Sequence, residues 1–258
     1  DDGQVRWGIP AGDGLATPLA GGLFDGIKAA GSPIKIVRTL APVDPPNVIA
    51  IGRNYREHAK EMKAEPQDAE PLIFLKATSS VIGPEDDIIL PRSAPSEVDF
   101  EAELAVIIGR CCKNVSESEA MEAVLGYTCA NDVSARDCQK RRDKQWARGK
   151  SFDTFCPLGP MIVTKEELPE SGVGVRSILN GQVMQNGHTS DMVFSVSQLV
   201  SYLSHQFTLP PGTVILTGTP AGVGSARTPP VFLQAGDEIV VEIDGIGRLG
   251  NRVRSFSV

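Results

Sequence analysis

The chain has 258 residues, of which 41% are hydrophobic and 22% charged, a balance that suits a soluble globular fold and argues against extended disorder. No apolar run approaches the roughly 20 residues a helix needs to cross a bilayer. The net charge of −7 argues against general affinity for nucleic acid, so an anionic small molecule must be met by local positive charge or by a metal ion.

The five cysteines, Cys111, Cys112, Cys129, Cys138 and Cys156, are odd in number and include no C-x-x-C pair. Neither a disulfide framework nor a zinc site follows from them, and a reducing cytoplasm is the expected location.

Residues 1–45 are rich in Gly, Ala and Pro and read as a small N-terminal domain of short strands and turns, with one helix around 22–30. The APVDPP run at 41–46 has the composition of a linker, so the main domain is expected to span 46–258. It opens with a buried strand, NVIAIG, at 47–52. In the helix-like RNYREHAKEM that follows, His58 and Glu61 are three residues apart and share a face. That spacing lets the carboxylate orient the imidazole and raise its basicity, as a general base requires; an ordinary surface ion pair has the same spacing. The polar, proline-interrupted KAEPQDAEP at 63–71 reads as a mobile flap, and PLIFLK at 71–76 resumes strand structure.

SEVDFEAELAVIIG, at 96–109, is the stretch around which the chain is organised. Alternation along a strand puts Glu101 and Glu103 on one face and Phe100, Ala102, Leu104, Val106 and Ile108 on the other. The glutamate face continues into Ala105 and Ile107, so both acids stand at the edge of something buried. Adjacent buried like charges need a compensating cation or proton, and carboxylate oxygens suit hard divalent ions. A solvated pair on an open sheet face is the alternative.

Beyond it, VSESEAMEAV at 115–124 reads as a short capped helix. A strand at 126–130 leads to Asp132 at a strand-to-helix turn, a place for a ligand or a cap. A helix over SARDCQKRRDKQW would present Arg136 and Gln139 on one side, suited to carboxylate or carbonyl recognition. Asn180-Gly181 and Asn186-Gly187 read as hairpin turns. A helix is expected over 192–203, with His205 just past its end and His188 in a turn, both structural. TVILTGTPAGVG at 213–224 is a buried strand and a Gly-rich loop whose amides and Thr219 hydroxyl suit an anion; no nucleotide-binding pattern is present. Strands over 238–243 and around Asp244-Gly245 close the chain.

Taken in order, GRNYREHAKEM, VDFEAEL, NDVSARDCQ, GKSFDTFCPLGP and LTGTPAGVG resemble the motifs of the fumarylacetoacetate hydrolase family over about residues 47–258. The resemblance implies an α+β, mainly β fold, a mixed β-roll or sandwich with short helices behind a small N-terminal domain, and commonly a homodimer. It implies that Glu101, Glu103 and Asp132 bind Mg2+ or Mn2+, that His58 and Glu61 sit on a lid and act with Lys150 in catalysis, and that Arg136, Gln139, Thr219 and Gly218 contact substrate oxygens. Arg53 stands where relatives usually carry a hydrophobic residue. The implied activity is metal-dependent chemistry on 2-oxo carboxylates through an enolate, with acylpyruvate C–C hydrolysis or oxaloacetate decarboxylation placed first. A hydroxymuconate-type isomerase of aromatic catabolism comes second, and a non-catalytic binder of metal and keto acid is the reading from another class.

Overall fold

The computed structural model describes residues 3–62 and 69–256. Most of the flap expected at 63–71 lies outside them. The backbone is built mainly from strands joined by short helices, the mixed, mainly β architecture expected.

A seven-stranded mixed sheet forms the frame, in the order Leu72–Lys76, Val48–Gly52, Val214–Leu216, Ala102–Ile108, Val124–Asn131, Cys156–Thr164 and Val81–Ile82. Its centre is the strand Ala102–Ile108, buried at every position. The apolar residues on its two faces belong to different cores. Ala102, Leu104, Val106 and Ile108 pack with Val175, Val241 and Leu249 of a second, five-stranded sheet and with Leu199 and Leu203 of the helix Val196–Gln206. Ala105 and Ile107 pack on the other face with Ala50, Leu158 and Leu216. A strand covered on both sides reads as a continuous apolar run, which is why alternation fails in its second half.

The first three strands, Gly8–Pro10, Leu15–Pro18 and Ile34–Lys35, form a separate small sheet. The helix expected around 22–30 is absent: Gly21 and Gly26 both have left-handed backbones, with φ of 101° and 100°, which break a helical run. The helix expected over 134–146 is also broken. Ser134–Ala135 pair with Val98–Asp99 as a two-stranded ribbon, Cys138–Arg142 form a π-helical turn capped by Asp137, and Ala147–Lys150 form a separate helical turn. Good helix formers there are overruled by the pairing of Ser134–Ala135. Asn180-Gly181 is the expected hairpin turn, with both residues at positive φ, whereas Asn186-Gly187 lies inside the strand Gln182–His188 and turns nothing. The helix expected over 192–203 runs instead from Val196 to Gln206 behind a Ser195/Gln198 capping box, so His205 lies in its last turn. His188 accepts from the Ser190 amide as a cap.

Candidate active site

The acidic cluster follows from strand register. Ala102 pairs with Asn131 and Glu103 with Ala130, and one step further out the Asp132 amide donates to the Glu101 carbonyl at 2.9 Å. Residues opposite one another in an antiparallel pair share a face, so Asp132 joins the face that alternation already gives to Glu101 and Glu103. All three carboxylates are buried, and an oxygen from each lies within 4.8 Å of the others.

Positive charge is distributed unevenly over them. Lys150 Nζ donates to Glu101 Oε2 at 2.8 Å and to Asp132 Oδ2 at 2.6 Å. Lys76 Nζ donates to Asp132 Oδ1 at 2.5 Å, and Arg136 Nη2 lies 2.7 Å from Glu101 Oε1. Among the described residues Glu103 receives only a backbone N–H, from Gly218 at 2.7 Å. The two glutamates therefore diverge. Burial would raise Glu101, but Lys150, Arg136 and His58 together hold it below the usual carboxylate range. Burial and the charges of Asp132 and Glu101 push Glu103 well above it. One unmatched buried carboxylate among three converging carboxylate oxygens is an environment that a hard divalent cation fits.

The loop after Val214–Leu216 closes over the cluster. Gly218 has φ of 100°, and a Cβ there would stand 2.8 Å from the Asn54 Cβ, so glycine is required for its amide to reach Glu103. Asn54 in turn donates to the Thr217 and Phe194 carbonyls and accepts from the Phe194 amide. Thr219 lines the cavity, but its hydroxyl donates to the Ala102 carbonyl at 2.9 Å and accepts from Gln185 Nε2 at 2.7 Å. Its hydrogen-bonding capacity is thus used largely to hold the loop to the central strand.

His58 and Glu61 lie on the short helix Arg56–Glu61, with His58 Nδ1 3.3 Å from Glu61 Oε2. The Gly222 amide donates to both Glu61 oxygens, at 2.9 and 3.1 Å. With Glu61 ionised, this pairing selects the tautomer that carries hydrogen on Nδ1 and leaves Nε2 to accept. His58, Lys150, Glu101 and Glu103 line one cavity of about 420 Å³, together with Arg136 and Gln139. Arg136 Nη1 donates to Gln139 Oε1 at 2.9 Å, so the expected Arg and amide pair forms even though the helix expected to carry it does not.

Three contributors were not singled out from the sequence. Lys76 ends an apolar strand, LIFLK, where a lone lysine is easily read as a strand terminus. Asp99, fully buried, accepts from the amides of Phe100, Gly224 and Ser225 and from Arg136 Nε, joining loop, strand and arginine. Its place two residues before Glu101 was the available signal, since alternation puts it on the glutamate face. Gln185 also accepts from the Ala102 amide at 2.9 Å, and nothing in its surrounding sequence distinguishes it from an exposed strand residue.

Comparison with known proteins shows the family to which the chain is similar. Residues 47–254 match the family described as fumarylacetoacetate (FAA) hydrolase, C-terminal. The mitochondrial oxaloacetate tautomerase of Xenopus laevis is 50% identical over 220 residues, which cover 84% of this chain and 68% of the relative. A human protein of the same description is 49% identical over 220 residues, covering 84% and 69%. Their names place them in mitochondria rather than in the cytoplasm expected from the cysteines, all of which are free here. Among solved structures, fumarylacetoacetate hydrolase from Exiguobacterium antarcticum superimposes with a TM-score of 0.89 at 39% identity, covering 99% of this chain and 97% of the other. The 5-carboxymethyl-2-hydroxymuconate delta-isomerase from Mycobacterium smegmatis gives 0.83 at 41%, covering 98% and 94%.

Proposed function

This chain belongs to the fumarylacetoacetate hydrolase family, and from that premise we propose that it interconverts the enol and keto forms of a short 2-oxo acid, with oxaloacetate the favoured substrate. The observation that carries the reading is the placement of an oriented imidazole, His58, in one cavity with a buried carboxylate cluster and an ammonium. The relatives named oxaloacetate tautomerase move tautomerisation ahead of the hydrolysis and decarboxylation that the motifs placed first.

Glu101, Glu103 and Asp132 would hold a magnesium or manganese ion. Such an ion supplies Lewis-acid polarisation of the acid's oxygens when bound. The chain's own groups handle the proton. Ketonisation moves one proton, lost from the enol hydroxyl and gained at carbon 3, so no co-reactant is needed. In ketonisation His58 Nε2 takes the proton from the enol hydroxyl and gives it to carbon 3, and in the reverse direction it takes it from carbon 3 and returns it to the oxygen, with Nδ1 anchored by Glu61. The Lys150 ammonium offsets negative charge on the carbon 2 oxygen. Gln139, with its NH2 left over from the Arg136 contact, orients the acid at the side of the cavity.

Acylpyruvate hydrolysis is the second reading. It is favoured by the Gly222 clamp on Glu61, which would hold the same dyad ready to activate water. Water would add to the distal carbonyl, the bond between carbons 3 and 4 would break, and the released pyruvate enolate would take a proton at carbon 3. Both reactions use the same enolate, and they separate in one assay. With magnesium present, the protein is expected to speed the loss of oxaloacetate enol absorbance more than the cleavage of acetylpyruvate. His58→Ala should slow the enol reaction by about 10² to 10⁴, the usual range for a positioned acid–base group. A His58→Ala variant as fast as the unaltered protein would remove the histidine from the mechanism.

A further inference from the structure

We infer that Arg53 and Lys140 form an anion clamp at the mouth of the cavity, selecting 2-oxo acids that carry a second, distal carboxylate. This rests on the 2-oxo acid reading above and specifies the substrate class within it.

The cavity has two poles, distinguished by depth. Glu101, Glu103, Arg136 and Lys150 are all buried, whereas Arg53 is half-buried and Lys140 exposed, and all six line the same space. At the deep pole every cation already faces a carboxylate. Arg136 serves Asp99 and Glu101, Lys150 serves Glu101 and Asp132, and Lys76 serves Asp132. Glu103 remains in excess, so with a divalent ion added the deep pole is left with one net positive charge, matched by the one carboxylate of a 2-oxo acid head. A second carboxylate would find no free cation there, and burying it unpaired is costly.

Among the described residues no carboxylate pairs with Arg53 or with Lys140, whose Nζ has only the Ser225 hydroxyl, at 3.3 Å. The Arg53 guanidinium stands 5.9 Å from the centre of the Trp146 ring, which meets the Phe74 ring edge-on with centroids 5.5 Å apart. A cation–π contact of this length holds the guanidinium beside the indole without using its N–H groups, which can still meet a carboxylate.

The backbone makes room for this contact. A Cβ on Gly52 would come within 2.8 Å of the Trp146 ring, so the bare glycine face admits the indole. Arg53 itself holds φ of 58°, an uncommon conformation for a residue other than glycine. An arginine serving solubility alone would need neither feature.

The test compares acids that differ only by the distal carboxylate. With magnesium-loaded protein, calorimetry should show 2-oxoglutarate binding at least tenfold more tightly than 2-oxobutyrate. Arg53→Gln should reduce that preference about tenfold, Lys140→Gln by a smaller factor, and Arg53→Lys should retain part of it because the charge survives without the forked N–H geometry. In parallel, the kcat/KM ratio for oxaloacetate enol over acetylpyruvate enol should fall in Arg53→Gln, mainly through KM for oxaloacetate. Equal affinity of the unaltered protein for the two binding probes, or equal losses for both in Arg53→Gln, would overturn the clamp. A preserved preference for the diacid in a protein that tautomerises neither enol would overturn the proposed reaction and leave the clamp standing.

Discussion

Glu103 is the residue on which the acidic cluster depends, because its neighbours are neutralised and it is not. Replacing it by Gln keeps the volume and an oxygen able to accept from the Gly218 amide, while removing a charge that burial and the charges of Asp132 and Glu101 disfavour. Glu103→Gln is therefore expected to melt no lower than the unaltered protein in metal-free buffer yet to lose most of its magnesium affinity, as calorimetry would register. Retained affinity would mean that the ion sits elsewhere. Lys76 poses the converse case. It is fully buried against Asp132, and removing one member of a buried pair leaves the other uncompensated, at a cost of about 3 kcal/mol. Urea denaturation of Lys76→Met should show a loss of that order without metal and a smaller loss at saturating magnesium, because a cation can replace the missing ammonium beside Asp132. Equal losses with and without magnesium would separate Lys76 from the cluster.

Elements rather than single residues bring the base to this cluster, and the loop after Val214–Leu216 is the decisive one. Gly222 has φ of 106°, and a Cβ there would lie 2.4 Å from the Met184 carbonyl oxygen, so Gly222→Ala must displace the amide that holds Glu61. Misplacing a catalytic group by about 1 Å can cost up to 10²-fold. The variant should lose between ten- and a hundredfold in kcat while magnesium affinity persists. Gly236→Ala is the matched comparison, with φ of 99° and open space around it; it bears the backbone strain alone, and an equal loss of kcat there would break the argument. The same loop marks what the residues could and could not reveal. Alternation through VDFEAEL placed the two glutamates on one face, and the spacing of three put His58 beside Glu61, because both are local properties of the backbone. That Asp132 falls opposite Glu101, that Gly222 clamps Glu61 and that Lys76 reaches Asp132 depend on pairings between distant segments, which periodicity does not contain. The broken helix over 134–146 failed for the same reason: good helix formers lost to a strand pairing made with residues far back in the chain.

At the scale of the whole molecule, the question is how a fold tolerates so many buried charges. Two sheets and the helix Val196–Gln206 enclose a continuous apolar core on one side of the central strand, and the cluster sits where that strand runs out of apolar residues. Net stability of a domain is only about 5–15 kcal/mol, so an uncompensated Glu103 is a sizeable fraction of it, and a ligand that binds only the folded state should register globally. At a magnesium concentration 100 times Kd, mass action adds about 2.7 kcal/mol. For a chain of this length each kcal/mol moves the melting temperature by roughly 2–4 °C, so calorimetric scans should show a rise of about 5–10 °C that a chelator reverses. Glu103→Gln should show almost none of it. A rise of the same size in that variant would assign the effect to ions on the acidic surface, since a molecule with a net charge of −7 attracts cations generally. Ionic strength separates the two cases: surface association weakens as salt is raised toward 0.15 M, where the screening length is about 8 Å, while a desolvated site among three converging carboxylates keeps most of its affinity.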